Sequence, residues 1–157
     1  MNPLAELSRG LPESDGEARA SVRARADSVL RPAGALARLD EIAVWLAGWQ
    51  RTATPGVERP SVTIFAADHG VAAGGVSAYP PDITTAMLAA LEQGVATSNA
   101  LARAIGATFE VVDAGVGEPT GDIRVEPALD DMRFAACVRA GVEATDLAAA
   151  AGADLLV

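Results

Sequence analysis

The side chains best suited to chemistry lie between Ala67 and Asp82, where Asp68 and His69 stand side by side; His69 is the only histidine and Tyr79 the only tyrosine of the chain. An adjacent carboxylate and imidazole offer general acid–base work, because imidazole titrates near neutrality. The same pair serves a loop equally well, the imidazole donating one hydrogen bond and the carboxylate accepting backbone N–H groups. The residues do not favour a metal centre: His69 has no second histidine at ligand spacing, and Cys137 is the single cysteine. Asp113 offers a carboxylate either to a ribose hydroxyl or to its own glycine loop. Tyr79 lies between Gly75 and Pro80, where its ring could stack on a planar ligand or cover a sheet. Met87 and Leu91, further along the helix expected to follow, read either as an apolar wall beside Tyr79 or as core.

Other catalytic frameworks fail on spacing. Gly115, Gly117 and Gly121 look like a dinucleotide fingerprint, but the last interval is wrong, Pro119 interrupts it, and loop rather than helix follows. Ser77 and Ser98 lie in no nucleophile elbow, and no second histidine completes a triad. No phosphate-cradling Walker loop is present.

These groups need elements to hold them. Val62, Ile64 and Phe65 form a run without turn formers, which predicts a buried strand ending at Ala66. Gly70, Gly74 and Gly75 then allow sharp turns, and Pro80-Pro81 sets the start of a helix capped by Asp82 or Thr84 and running to about Gln93. A second helical segment from Thr97 to Ile105 closes at Gly106, and TFEVV from Thr108 to Val112 repeats the pattern of strand, acidic residue and glycine. Residues 118–128 read as loop, Asp130 caps a long helix to about Ala151, and Ala153 to Val157 begin a third strand. Strand and helix alternate, which predicts an α/β fold with a parallel sheet whose carboxyl ends share one rim.

Ahead of the first strand, Ser14-Asp15-Gly16-Glu17 has capping-box spacing, with Ser14 as the N-cap of a helix to about Leu30. Ala18, Val22, Ala26 and Val29 form its apolar stripe. A second helix from Ala35 to Gln50 places Leu36, Leu39, Ile42, Ala43, Leu46 and Trp49 on one face. The expected domains are thus a helical arm over residues 1–56 and the first part of a parallel α/β domain over 57–157. A chain that stops within a core strand is expected to be a truncated protein.

With 157 residues, half of them apolar, the sequence can bury a core. Its net charge of -9 argues against nucleic acid or an anionic membrane as partner. A phosphate ligand would be attracted by loop N–H groups or helix amino termini instead. One cysteine excludes an internal disulfide, and the amino terminus lacks the layout of a signal peptide, so the expected location is the cytoplasm.

The stretches PAGALARLDEIAVWLAGWQ (32–50), FAADHGVAAGGVSAYPPDIT (65–84), VVDAGVG (111–117) and AGADLLV (151–157) resemble the amino-terminal portion of the nicotinate-nucleotide–dimethylbenzimidazole phosphoribosyltransferase family. The resemblance implies a Rossmann-like α/β domain with helices on both faces of the sheet, preceded by a small helical subdomain, usually in a homodimer. It implies that a benzimidazole nitrogen displaces nicotinate from C1′ of nicotinate mononucleotide, giving α-ribazole 5′-phosphate for cobalamin, with no cofactor. By position it makes Tyr79 and Met87, and less directly Pro80 and Leu91, residues of the benzimidazole slot; Asp68, His69 and Asp113 remain candidate substrate-binding groups from their own residue types, with their roles open. The family's catalytic glutamate and glycine-rich phosphate loop correspond to positions beyond Val157, so the 157-residue chain alone is expected to be inactive. Two other readings compete. One is an azole- or nucleotide-binding module without catalysis, alone or paired with a second chain. The other is a dinucleotide-binding oxidoreductase domain, supported only by the strand–helix alternation.

Overall fold

The computed structural model describes residues 3–32, 34–80 and 82–157; Pro81, expected with Pro80 at the start of a helix, lies outside the described residues. The chain divides into two compact units between Val57 and Glu58.

The unit ending at Val57 is helical: α1 (Pro3–Leu7), α2 (Gly16–Ser28) and α3 (Ala37–Gln50). The α2 N-cap is Asp15 rather than the expected Ser14, and its carboxylate accepts hydrogen bonds from the N–H groups of Glu17 (2.9 Å) and Ala18 (3.0 Å). A carboxylate one residue later satisfies the same orphan donors as a hydroxyl and adds a favourable charge at the positive end of the helix dipole. Ala18 and Val22 of α2 pack on Val44 and Ala47 of α3, with Ala43 at the margin.

This corrects the expected face of α3. Leu36, Leu39, Ile42 and Trp49 are exposed; of the expected face Ala43 borders the packed surface, which is made of Val44, Ala47 and Gly48. Small residues allow a close approach that large ones prevent. A Cβ at Gly48 would run into the Ser14 hydroxyl and the Arg19 stem, and the Gly48 carbonyl accepts a bond from Asp15 N–H at 2.9 Å. On α2 the stripe ends early, since Ala18 and Val22 are buried while Val29 is exposed and lies beyond the last helical residue.

The unit from Glu58 is α/β. It contains β1 (Pro60–Ala66), a 3-10 turn (Gly70–Gly74), α4 (Ile83–Glu92), α5 (Thr97–Ala104), β2 (Thr108–Asp113), α6 (Asp131–Ala150) and β3 (Leu155–Leu156). The three strands form a parallel sheet in the order β2-β1-β3, as the alternation of strands and helices requires. In register Ala66 lies opposite Asp113, so β1 and β2 end together. At the other end the Asp154 carboxylate accepts the N–H groups of Glu58 (2.7 Å) and Arg59 (3.0 Å), fastening the approach to β1 beside β3. Chiefly the Glu58 bond holds that carboxyl below the usual aspartate range.

The expected helix boundaries hold closely. Asp130 caps α6 through Arg133 N–H at 2.7 Å, and Gly94, Gly106 and Gly152 take the left-handed conformation just past the ends of α4, α5 and α6. Asn99, buried in α5, donates to the Leu91 carbonyl at 3.1 Å and so closes α4 against α5. The expectation of a fully buried β1 needs correction. Although β1 is central in the hydrogen-bonded order, Phe65 is 46% exposed and only Pro60 and Ser61 are buried. Position in the ladder and coverage of the faces are separate properties, and α4 and α5 pack chiefly on β2. Among the described residues no helix is long and apolar enough to cross a membrane.

Candidate functional site

The loops leaving β1 and β2 are joined strand-fashion beyond the sheet. Ala114 N–H donates to Ala66 O (2.7 Å), Asp68 N–H to Gly115 O (3.2 Å), and Thr120 N–H to Asp68 O (3.1 Å). Gly70 N–H then donates to the Thr120 hydroxyl oxygen at 3.2 Å. The two backbones approach so closely at Gly70 that a Cβ there would fall onto the Thr120 carbonyl. Here glycine is required by space.

The two aspartates at the strand ends both accept backbone N–H groups. Asp113 Oδ1 takes those of Gly115 (2.9 Å) and Val116 (2.8 Å), folding its own loop, and these bonds, Val116 first, lower its carboxyl below the usual range. Asp68 Oδ2 takes the N–H of Gly117 at 2.8 Å. The Thr84 hydroxyl is the first cause that lowers the Asp68 pKa, followed by the Gly117 bond, with the neighbouring His69 adding a smaller push in the same direction. Hydrogen bonds to the charged form hold both groups ionised at neutral pH. That suits structural anchors and opposes work as a general base, which needs a pKa near the working pH.

A cleft of about 300 Å3 opens beside this junction, lined by Asp68, His69, Gly70, Ala72, Ala73, Asp82, Thr85, Gly117 and Pro119. His69 is exposed at its edge, while its carbonyl accepts Ala72 N–H at 2.9 Å to start the 3-10 turn. Of the residues singled out in the sequence, Asp68 and His69 line this cleft, and Asp113 ends the strand whose following loop brings Gly117 to it. Tyr79, Pro80, Met87 and Leu91 do not line it. Thr85 and Met87 are two residues apart, a rotation of about 200° around a helix, so Met87 faces away from the Thr85 side of α4. On that other side Ile83 and Met87 (49% exposed) lie one turn apart, and Tyr79 (68% exposed) and Val76 are exposed in the segment that leads into the helix. Leu91 is buried at the far end of α4, and the Pro80 carbonyl accepts Ile83 N–H at 3.1 Å to open it.

Several residues of the site gave no motif. Thr120 acts through a single hydroxyl, and its partner Gly70 lies far away in sequence. Arg124 folds back on Asp122, with Nη2 2.6 Å from Oδ2, and this contact draws the Asp122 carboxyl down to about 2. The guanidinium of Arg124 also covers Gly74, leaving no room for a Cβ there. Arg133 donates to the carbonyls of Glu118 (2.7 Å) and Pro119 (3.2 Å), pinning the 118–120 turn to α6. Among the described residues no group of three His, Cys, Asp or Glu could hold a metal ion.

Comparison with known proteins matches this arrangement to one family. A family model described as phosphoribosyltransferase matches residues 11–157. A protein of Cereibacter sphaeroides named nicotinate-nucleotide–dimethylbenzimidazole phosphoribosyltransferase is 43% identical over 136 residues, covering 87% of this chain and 40% of the relative. One of the same name from Roseobacter denitrificans is 38% identical over 157 residues, 100% of this chain and 45% of the relative. The crystal structure of the enzyme of that name from Thermus thermophilus superposes with a TM-score of 0.79 at 35% identity, covering 90% of this chain and 48% of that one. The chain therefore spans less than half the length of these relatives, and the fold, the Asp68-His69 turn and the Asp113 loop all fall within the matched residues. The chain belongs to the nicotinate-nucleotide–dimethylbenzimidazole phosphoribosyltransferase family.

Proposed function

We propose that the complete gene product transfers the 5-phosphoribosyl group of nicotinate mononucleotide to 5,6-dimethylbenzimidazole, giving α-ribazole 5′-phosphate for cobalamin, and acts as a cytoplasmic homodimer. The observation that carries this reading is the family match across residues 11–157. Residues 57–157 then form the first part of the catalytic α/β domain, and residues 1–56 a helical arm. The exposed residues Tyr79, Ile83 and Met87 are one wall of the base slot. A flat apolar wall suits a benzimidazole ring, and Tyr79 offers a face for offset stacking. Pro80 sets the turn that presents Tyr79, while buried Leu91 anchors α4 beneath that wall. His69, exposed at the neighbouring cleft, contacts the nucleotide, and Asp68 and Asp113 shape the rim from which it binds.

The transfer breaks the C1′–N bond to nicotinate and forms a C1′–N bond to the azole, whose second nitrogen gives up its proton. Asp68 and Asp113 suit that proton poorly, because the hydrogen bonds that lower their pKa values make them weak bases. The proton acceptor is assigned outside residues 1–157, where the family resemblance puts the catalytic glutamate. Incubating the complete gene product with both substrates is expected to give α-ribazole 5′-phosphate and one equivalent of nicotinate, while the 157-residue chain alone gives none. Turnover by the short chain would place the acceptor within it and overturn that division. Absence of product from the complete protein would overturn the assigned reaction.

A further inference from the structure

We infer that Arg124, locked by Asp122, is a positioning residue for the nucleotide cleft: its guanidinium lies against Gly74 and closes the end of the 3-10 turn that forms one wall of that cleft. The inference rests on the reading of the cleft as the place where the nucleotide binds. Gly70, Ala72 and Ala73 line it beside Asp68 and His69, and all three belong to the single turn Gly70–Gly74. So short a 3-10 turn has little stability of its own, and contacts from outside must fix its place. Its start is fixed by the loop after β2. Gly70 N–H donates to the Thr120 hydroxyl at 3.2 Å, and the backbone of Thr120, Gly121 and Asp122 stands where a Cβ of residue 70 would be. Its end meets Arg124, since a Cβ at Gly74 would fall on Nη1, Nη2 and Cζ of that one guanidinium.

Arg124 can hold the turn because it is itself held. Asp122 Oδ1 accepts its Nε–H at 2.9 Å and Oδ2 its Nη2–H at 2.6 Å, a two-pronged contact that sets the plane of the guanidinium. Asp122 Oδ1 also takes the Arg124 backbone N–H at 3.0 Å, and the Asp122 carbonyl takes those of Val125 and Glu126, each at 2.9 Å. The ion pair therefore stands on a closed turn, and residues 120–124 grip the 3-10 turn at both ends. Neither Asp122 nor Arg124 lines the cleft, which separates a role in positioning from one in contact. The Arg124 side chain is 50% exposed, and a pair so open to water contributes little to overall stability, so its loss should be felt by the substrate before the fold.

The test is Arg124→Met in the complete gene product, a change that keeps an unbranched stem and removes the guanidinium. The KM for nicotinate mononucleotide is expected to rise about tenfold, with that for 5,6-dimethylbenzimidazole changed less than about twofold, because a misplaced wall costs the ligand that touches it. The thermal midpoint should stay near the wild-type value. Gly74→Ala should raise the same KM, since its Cβ pushes the guanidinium aside while Asp122 and Arg124 both remain. Added to Arg124→Met, it should raise that KM by less than about a further twofold, as two changes that remove one contact do not add. Effects that multiply in the double variant overturn the inference. So does an unchanged nucleotide KM in Arg124→Met when His69→Ala raises it. Equal weakening of both substrates with a lowered midpoint overturns it as well, as a purely structural role. If neither His69→Ala nor Arg124→Met alters the nucleotide KM, the reading of the cleft falls and this inference with it.

Discussion

Gly70→Val is expected to lower the activity of the complete gene product by about a hundredfold or more, since misplacing a binding group by roughly 1 Å can cost that much. The added Cβ would fall onto the Thr120 carbonyl and within 2.9 Å of Gly121 C and 3.0 Å of Asp122 N. All three obstacles are backbone atoms, which cannot swing aside as the end of a flexible side chain does. The loops after β1 and β2 must then separate, breaking the Gly70–Thr120 bond and straining the bonds at Asp68. Overpacking of this kind typically costs about 1–3 kcal/mol, so the protein should still fold with a lower thermal midpoint. Gly141→Ala serves as a control. A Cβ there meets nothing within 4 Å, and Gly141 lies inside α6, where alanine gains roughly 0.5–1 kcal/mol over glycine. The thermal midpoints of the two variants should therefore move in opposite directions, while activity falls only in Gly70→Val.

The second large effect is expected in the helical unit, from Ala47→Leu. Ala47 is fully buried between α2 and α3, against Ala18, Val22 and Val44. Three further carbons have no space unless the helices part, and the adjoining Gly48 contact forbids a small sideways slide. A unit of this size has a net stability of only about 3–5 kcal/mol, so an overpacking cost of about 1–3 kcal/mol removes much of it. Circular dichroism of the variant should show lost helix at a lower temperature than wild type. A melt superposable on wild type would mean that α2 and α3 do not pack as described.

Sequence patterning made the α/β part of the fold legible because it depends on signals local to each element. TFEVV ends at Asp113 and a glycine, Asp130 precedes α6, and Gly94, Gly106 and Gly152 stand where helices stop. The helical arm misled for a physical reason: periodicity reports where large apolar residues lie, while α3 packs through Val44, Ala47 and Gly48. Small residues carry weak hydropathy signals yet permit the closest approach. At the rim, the sequence left Asp68 and Asp113 open between ligand contact and loop anchoring, and the structure shows both accepting loop N–H groups. The roles of Thr120 and Arg133 were not legible, because each depends on a partner brought close only by the fold. Resemblance to the family supplied the reaction, which neither composition nor spacing contained.

The most direct measurement is a crystal structure of the complete gene product with 5,6-dimethylbenzimidazole bound. The account predicts the ring stacked on Tyr79 and within van der Waals reach, about 4 Å, of Met87, beside the rim formed by Asp68 and Gly117. A ring seated elsewhere, such as the surface of Trp45 and Trp49 on α3, with Tyr79 and Met87 uncovered, would contradict it.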